Sequence, residues 1–242
     1  MIPPQLKRSY DRKVANLVTK NGKQAAIANT FGLPAGKAFS CPGATSVCES
    51  VCYAGKLEKL FKGVKTNLLH NWELLRNADE PTMVDLLENM IVDFKKDCEK
   101  KNAPLLFRIH WDGDFFNDEY AFAWKHVILN HPDIQFWVYT RVKSAAVMLK
   151  DIPNLSLYYS TDSENKDTGI GLKKDHGIRL AYLAKNFALG QADMKELTNK
   201  PGAKCPENLK AIPLISQKGS ACVSCGLCVY SKADIVFSAT KK

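Results

Sequence analysis

Residues 104–118, PLLFRIHWDGDFFND, contain an apolar run that passes directly into a polar, glycine-containing loop. The apolar run predicts a buried strand, and the next segment, DEYAFAWKHVILNH (118–131), predicts a helix. The same succession recurs, with further apolar strand segments IQFWVYT (134–140), LSLYYST (155–161) and IRLAYLA (178–184). Continuous apolar strands that alternate with helices are typical of a parallel sheet covered on both faces. The predicted fold class is therefore α/β, as an open sheet or a partial (β/α) barrel.

The segments before this core predict one more strand and two long helices. Residues 25–36, AAIANTFGLPAG, predict an early strand and a turn. Apolar residues at helical spacing predict a helix over residues 55–77. Residues 81–101 predict a second helix, with proline in its first turn and lysines at its end. No linker or repeat interrupts this order.

Polar side chains follow three successive predicted strands. They are His110, Asp112 and Asp114 after the first, Thr140 and Arg141 after the second, and Ser160, Thr161 and Asp162 after the third. Ligands of parallel α/β folds gather at the carboxyl ends of strands, although loops are polar for other reasons as well. We therefore expect a functional site at this edge of the sheet.

The composition restricts the class of protein. The chain has 242 residues, and its 34 Lys and Arg against 25 Asp and Glu leave a net charge of +9. This excess favours an anionic partner such as nucleic acid or a phosphorylated cofactor, or serves solubility alone. No apolar run is long enough for a signal peptide or a membrane span. We expect a soluble intracellular protein without a membrane partner.

The C-terminal cysteines predict a metal centre. Of the eight cysteines, Cys205 is followed after sixteen residues by Cys222, Cys225 and Cys228 in a C-x2-C-x2-C run. Such a run brings three thiolates to one compact cluster, as in bacterial ferredoxins, and Cys205 supplies a fourth ligand. Zinc is the alternative, but zinc sites more often pair two C-x2-C knuckles or include histidine. In a reducing compartment a disulfide framework is the lesser interpretation.

The N-terminal stretch SCPGATSVCESVCYAGKL (40–57) holds only three cysteines, Cys41, Cys48 and Cys52. Three thiolates leave one iron of a cubane with an open coordination site, where a substrate or cofactor can bind directly. The remaining cysteine, Cys98, falls in a helical pattern and is interpreted as a buried or incidental thiol.

Four motifs carry a resemblance to a known family. They are SCPGA with CYA (40–54), H-x-x-GDF (110–115), W-x-YTR (137–141) and C-x-x-C-G-x-C (222–228). The three-cysteine loop, the WDGDF loop and the YTR strand end resemble the radical S-adenosylmethionine superfamily. More narrowly, the whole pattern is similar to a set of phage-encoded radical-SAM-like proteins of unknown function.

The resemblance implies a partial (β/α) barrel over residues 1–200, with residues 201–242 as an iron–sulfur segment packed on it. Cys41, Cys48 and Cys52 would hold a [4Fe–4S] cluster whose fourth iron is chelated by S-adenosylmethionine. The methionine amino group would contact Asp112, Gly113 and Asp114. Ribose and carboxylate contacts would come from Thr140, Arg141 and Ser160. Tyr53 would pack on the adenine ring or on the barrel wall.

The resulting expectation is an iron–sulfur protein with two [4Fe–4S] clusters that cleaves S-adenosylmethionine to generate a radical on an unknown substrate, anionic or nucleic acid in nature. The electron would come from a reductant such as ferredoxin or flavodoxin, in the cytoplasm of the infected host. The C-x6-C-x3-C spacing of this loop is larger than the C-x3-C-x2-C spacing usual in the superfamily, which keeps open a non-catalytic iron–sulfur electron carrier or redox sensor. The net positive charge keeps open the alternative that this is a zinc-stabilised nucleic-acid-binding protein.

Overall fold

Strands and helices alternate along most of the chain. The computed structural model describes residues 4–240. Up to residue 100 the elements are β1 (Asn16–Val18), β2 (Gln24–Ala26), β3 (Thr30–Gly32), α1 (Ser46–Val51), α2 (Tyr53–Leu60), α3 (Lys62–Leu75) and α4 (Glu80–Lys100). The central part comprises β4 (Leu106–Asp112), α5 (Asp118–Asn130), β5 (Gln135–Thr140), α6 (Lys143–Leu149), β6 (Leu155–Thr161), α7 (Lys166–His176), β7 (Arg179–Ala184) and α8 (Phe187–Thr198). The last part comprises β8 (Ala203–Lys204), β9 (Ile215–Ser216), β10 (Gly219–Ser220), α9 (Ala221–Cys225) and β11 (Ile235–Ser238).

Seven strands form one sheet in the order β3-β4-β5-β6-β7-β11-β8. Every neighbouring pair in it is parallel. The predicted α/β class with a parallel sheet is confirmed. Strands β3 and β8 lie at the two edges of this sheet, and its curvature into a partial barrel stays a prediction.

Four of the predicted strands correspond closely to β4, β5, β6 and β7. The single helix predicted over residues 55–77 is wrong, because Phe61 adopts an extended conformation (φ −123°, ψ 103°) and separates α2 from α3. The early strand predicted within residues 25–36 is divided between β2, which forms a hairpin with β1, and β3, which joins the large sheet.

Different parts of the chain pack against the two faces of the sheet. Successive side chains of a strand point to opposite faces. On one face, Phe107 and Phe136 pack in the large apolar core, in which the Phe107 ring contacts Phe94 of α4 and Trp124 of α5.

The opposite face is covered by the C-terminal cysteine segment. Ser156 Oγ of β6 donates to the carbonyl of Val229 (2.7 Å), and Tyr158 Oη donates to the carbonyl of Leu227 (3.3 Å). Cys205 and Cys228 pack with Tyr158 in a small second apolar cluster. This segment therefore contacts the face that the long helices leave free.

The C-terminal part also enters the sheet itself, because β11 pairs with β7 on one side and with β8 on the other. The predicted division at residue 200 stays a prediction, and the ends of its two parts, residues 1–3 and 241–242, lie outside the described residues. None of the helices between residues 4 and 240 combines the length and apolar character needed to cross a membrane.

Candidate functional site

The three N-terminal cysteines lie in the connection between β3 and α2. Cys48 is in α1, and Cys52 ends α1 and caps α2, where its Sγ accepts a hydrogen bond from the backbone N–H of Gly55 (3.3 Å). Cys41 Sγ lies 4.0 Å from Ser40 Oγ. All three are half-buried free thiols. A backbone N–H that donates to a cysteine sulfur, as Gly55 does to Cys52, is among the interactions that tune iron–sulfur centres.

The charged groups next to the three thiols show that this loop lies at the carboxyl edge of the sheet. Burial, and next the carboxylate of Asp114, raise the pKa of Cys41 to about 12. Burial raises the pKa of Cys52, opposed by the Gly55 N–H and reinforced by Asp112. Burial also raises the pKa of Cys48, with opposing effects from Arg141, which lowers it, and Cys52, which raises it. The cysteines therefore lie beside the residues that end β4 and β5.

Asp112 and Glu58 form an acidic pair beside Cys52. Asp112 is 4% exposed, and its Oδ1 accepts from the Gly113 N–H (2.9 Å). Its buried Oδ2 has no hydrogen-bond partner within residues 4–240. Burial, and next the Glu58 carboxylate, raise the pKa of Asp112 well above its usual range. A cationic group beside this acidic pair would supply a counter-charge and hold Asp112 as a carboxylate.

Both carboxylate oxygens of Asp114 accept hydrogen bonds from neighbouring groups of the protein. Its Oδ1 accepts from Thr140 Oγ1 (2.6 Å) and Phe115 N–H (2.8 Å), and its Oδ2 accepts from Arg141 N–H (2.7 Å). The Thr140 hydroxyl also accepts from Val142 N–H (3.0 Å). Burial raises the pKa of Asp114 to about 6 in spite of these donors. Asp114 and Thr140 therefore join the ends of β4 and β5 and position the loop.

Gly113 lets this loop approach the cysteine segment. It has φ +80°, and a Cβ atom there would lie 2.8 Å from the carbonyl oxygen of Leu33 and closer still to Ser40 Oγ. A side chain at this position would therefore displace the residue preceding Cys41.

Gly113→Ala is expected to lower the free energy of unfolding by about 1–2 kcal/mol for the left-handed backbone and by about 1–3 kcal/mol more for the close contacts. Gly177→Ala is the matched control, because Gly177 has φ +68° with open space around it. Urea denaturation of both variants measures the difference. Equal losses would show that the approach to Leu33 and Ser40 is not tight.

A buried ion pair fixes the cysteine loop to the end of β6. Arg141 Nη1 donates to Asp162 Oδ2 (2.7 Å), with side chains 8% and 0% exposed. Thr45 Oγ1 donates to the same oxygen (2.6 Å), and it accepts from the Cys48 N–H (3.0 Å). Arg141, for which the resemblance implies a ribose or carboxylate contact with the cofactor, is therefore engaged with a carboxylate of the protein itself, beside Cys48.

The two remaining predicted contact residues lie at this edge as well. Tyr53 is 39% exposed, its hydroxyl donates to the carbonyl of Trp111 (3.1 Å), and Lys13 Nζ lies 5.1 Å from its ring centroid. Ser160 is half-buried, one residue before the end of β6. Their proposed contacts with a cofactor stay predictions.

The four C-terminal cysteines form a second group of neighbouring thiols, contributed by the turn after β8, by α9 and by the turn that follows α9. Burial raises the pKa of Cys222 to about 12, with Arg108 lowering it and Cys228 and Cys205 raising it. Burial raises the pKa of Cys228 to about 12, with Tyr139 lowering it and Cys205 and Cys225 raising it. Cys205, Cys222, Cys225 and Cys228 are therefore neighbours in the fold, and their role as metal ligands stays a prediction.

The donor chemistry of both groups suits soft metal centres, because thiolates are the ligands of iron–sulfur clusters and of structural zinc. Among residues 4–240, however, no three Cys, His, Asp or Glu side chains are arranged to hold a metal ion. Metal binding therefore stays a prediction. Cys98 is 1% exposed on α4, which confirms the interpretation of a buried thiol.

Comparison with known proteins shows the family to which the chain belongs. The family model described as Gene product 88 matches residues 4–231. The chain belongs to this family. It is 54% identical over 243 aligned positions to the Gene 88 protein of Mycobacterium phage L5, covering 98% of this chain and 99% of the relative. It is 53% identical, with the same coverage, to the Gene 88 protein of Mycobacterium phage D29. No solved structure matches.

Membership of the Gene product 88 family confirms the phage-encoded part of the predicted resemblance. Radical-SAM chemistry stays a prediction, because the family description and the names of both relatives are gene designations.

Sequence reasoning missed two residues near the cysteines, Glu58 and Arg108. Asp162, which follows β6, belongs to the strand-end pattern, but no role was predicted for it. Arg108 is a charged residue inside the apolar run LLFRIH (105–110), and that interruption was a signal.

Proposed function

We propose that this member of the Gene product 88 family is an iron–sulfur protein with two [4Fe–4S] clusters in a partial (β/α) barrel. Cys41, Cys48 and Cys52 would hold one cluster. The other would be held by Cys205, Cys222, Cys225 and Cys228. The N-terminal cluster would bind S-adenosylmethionine, and the protein would act as a radical S-adenosylmethionine enzyme.

One observation carries this proposal: a loop with only three thiols lies beside Asp112, whose buried Oδ2 has no partner among the described residues. Three thiolates leave a cubane iron open. A free buried carboxylate oxygen next to it suits the ammonium group of a methionine moiety. The C-terminal group, with four thiols, would by contrast be closed.

The residues around the loop have distinct parts in this proposal. The acidic pair of Asp112 and Glu58 binds the cationic end of the cofactor. Asp114 and Thr140 hold the glycine loop, and the Arg141–Asp162 pair holds the cysteine loop. When bound at Cys41, Cys48 and Cys52, a reduced cluster would supply the electron for cleavage of the sulfonium C–S bond of S-adenosylmethionine. Ferredoxin or flavodoxin of the host cytoplasm is the proposed reductant, and the net charge of +9 favours an anionic or nucleic-acid substrate.

The test is release of 5′-deoxyadenosine from S-adenosylmethionine by anaerobically purified, dithionite-reduced protein. Asp112→Asn is expected to lower the yield about tenfold or more, since an amide cannot become the carboxylate that would pair with the ammonium group. Asp85→Asn is the control, because Asp85 is exposed on α4. No 5′-deoxyadenosine from iron-loaded wild-type protein, with an unchanged cluster spectrum, would favour the electron carrier or redox sensor instead.

A further inference from the structure

Arg108 lies inside β4 on the face of the sheet that the C-terminal cysteine segment covers. Its Nη1 donates to Asp11 Oδ2 (2.9 Å), and both side chains are 12% exposed. Its guanidinium carbon lies 5.6 Å from the ring centroid of Tyr139 on the neighbouring strand. Its buried Nε has no hydrogen-bond partner within residues 4–240. The packing of the sheet does not by itself account for a charged side chain at this largely buried position.

The same arginine lies beside the C-terminal thiols. The Cys222 N–H donates to the carbonyl of Lys13 (2.9 Å), two residues after Asp11, so one short segment holds both Arg108 and Cys222. Tyr139, which lies under the guanidinium, packs in the apolar cluster that contains Cys205 and Cys228. Arg108 lowers the pKa of Cys222, against a larger rise from burial.

The charges explain why an arginine is needed here. Four metal-bound thiolates place several negative charges in a half-buried site, and their solvation by water is incomplete. Guanidinium remains protonated even when buried, and it keeps an N–H free after pairing with one carboxylate. Local charge and contacts to the sulfurs set both the retention and the reduction potential of such centres.

We propose that Arg108 is a positioning residue of the C-terminal cysteine site and the buried counter-charge of its thiolates. This inference rests on the proposed function, because it concerns thiolates that hold a cluster. Arg108 stabilises the more negative, reduced form of the centre more than the oxidised form. Asp11 offsets part of its charge.

The experiment uses the full chain with Cys48→Ala, so that the C-terminal centre is measured alone. Arg108→Gln is expected to shift its midpoint potential to more negative values and to weaken iron retention against a chelator about 10- to 100-fold. Arg108→Lys, which keeps the charge, should restore most of the potential. Arg8→Gln is the matched control, because Arg8 pairs with Asp97 (2.6 Å) and lies over the Phe94 ring (6.0 Å), at a site without predicted ligands.

Asp11→Asn provides a second variant that leaves Arg108 in place. Removal of the partner carboxylate is expected to shift the midpoint potential in the opposite direction, to more positive values. The inference is overturned if Arg108→Gln matches Arg8→Gln, if Arg108→Lys fails to restore the potential, or if Asp11→Asn shifts it negatively. Wild-type protein that contains no iron and sulfide would overturn both the proposed function and this inference. Iron-loaded protein whose midpoint potential does not shift as expected in the Arg108 and Asp11 variants would overturn only the inference.

Discussion

Replacement of Cys48 by alanine is expected to remove about half of the bound iron, and replacement of Cys225 the other half. The reason is that the two thiol groups lie at separate parts of the fold: Cys48 beside Arg141 at the ends of β5 and β6, and Cys225 in α9 with Cys228 as its neighbour. Wild-type protein purified anaerobically is expected to contain about eight irons per chain, with as much inorganic sulfide. Iron, sulfide and zinc quantitation measures the result.

Cys98→Ser is the control for this experiment, because Cys98 is buried in the apolar core and its Sγ contacts the carbonyl of Pro104 (3.7 Å). The iron content of this variant should equal that of wild type. Loss of one cluster in Cys98→Ser would overturn the assignment of ligands. One zinc per chain without sulfide would exclude both clusters and favour the zinc-stabilised nucleic-acid-binding alternative.

Asp162→Ala is expected to lower the free energy of unfolding by about 3–5 kcal/mol, because it leaves the Arg141 guanidinium buried without its partner carboxylate. It also removes the acceptor of Thr45 Oγ1, which caps α1 next to Cys48. We therefore expect weaker iron retention at the N-terminal site as well as lower stability. Urea denaturation, and iron release to a chelator in a Cys225→Ala background, measure the two effects.

Glu73→Ala is the control for this variant, because Glu73 pairs with Arg76 (2.8 Å) where both side chains are exposed, at 58% and 43%. An exposed pair contributes about 0–1 kcal/mol, so this variant should resemble wild type. A loss below about 1 kcal/mol for Asp162→Ala would show that Arg141 is solvated in solution and that the ion pair does not hold the cysteine loop.

Local sequence patterns were sufficient to predict the four sheet strands in the middle of the chain. β4, β5, β6 and β7 are continuous apolar runs, and each is identified without knowledge of its partners. The terminal strand β11 was not predicted, because its few residues become a strand only between β7 and β8. The break at Phe61 was likewise missed, since the apolar spacing continues across it.

The sequence by itself determined the α/β class, the parallel direction of the sheet and the two groups of cysteines with their spacing. These features depend on residues near one another along the chain. Only the tertiary structure decided that Asp112 faces Glu58, that Arg141 is engaged by Asp162, and that Arg108 lies beside Cys222. Each of these contacts joins segments distant in sequence, and burial determines which charges meet, because a charge removed from water must find its partner within the fold.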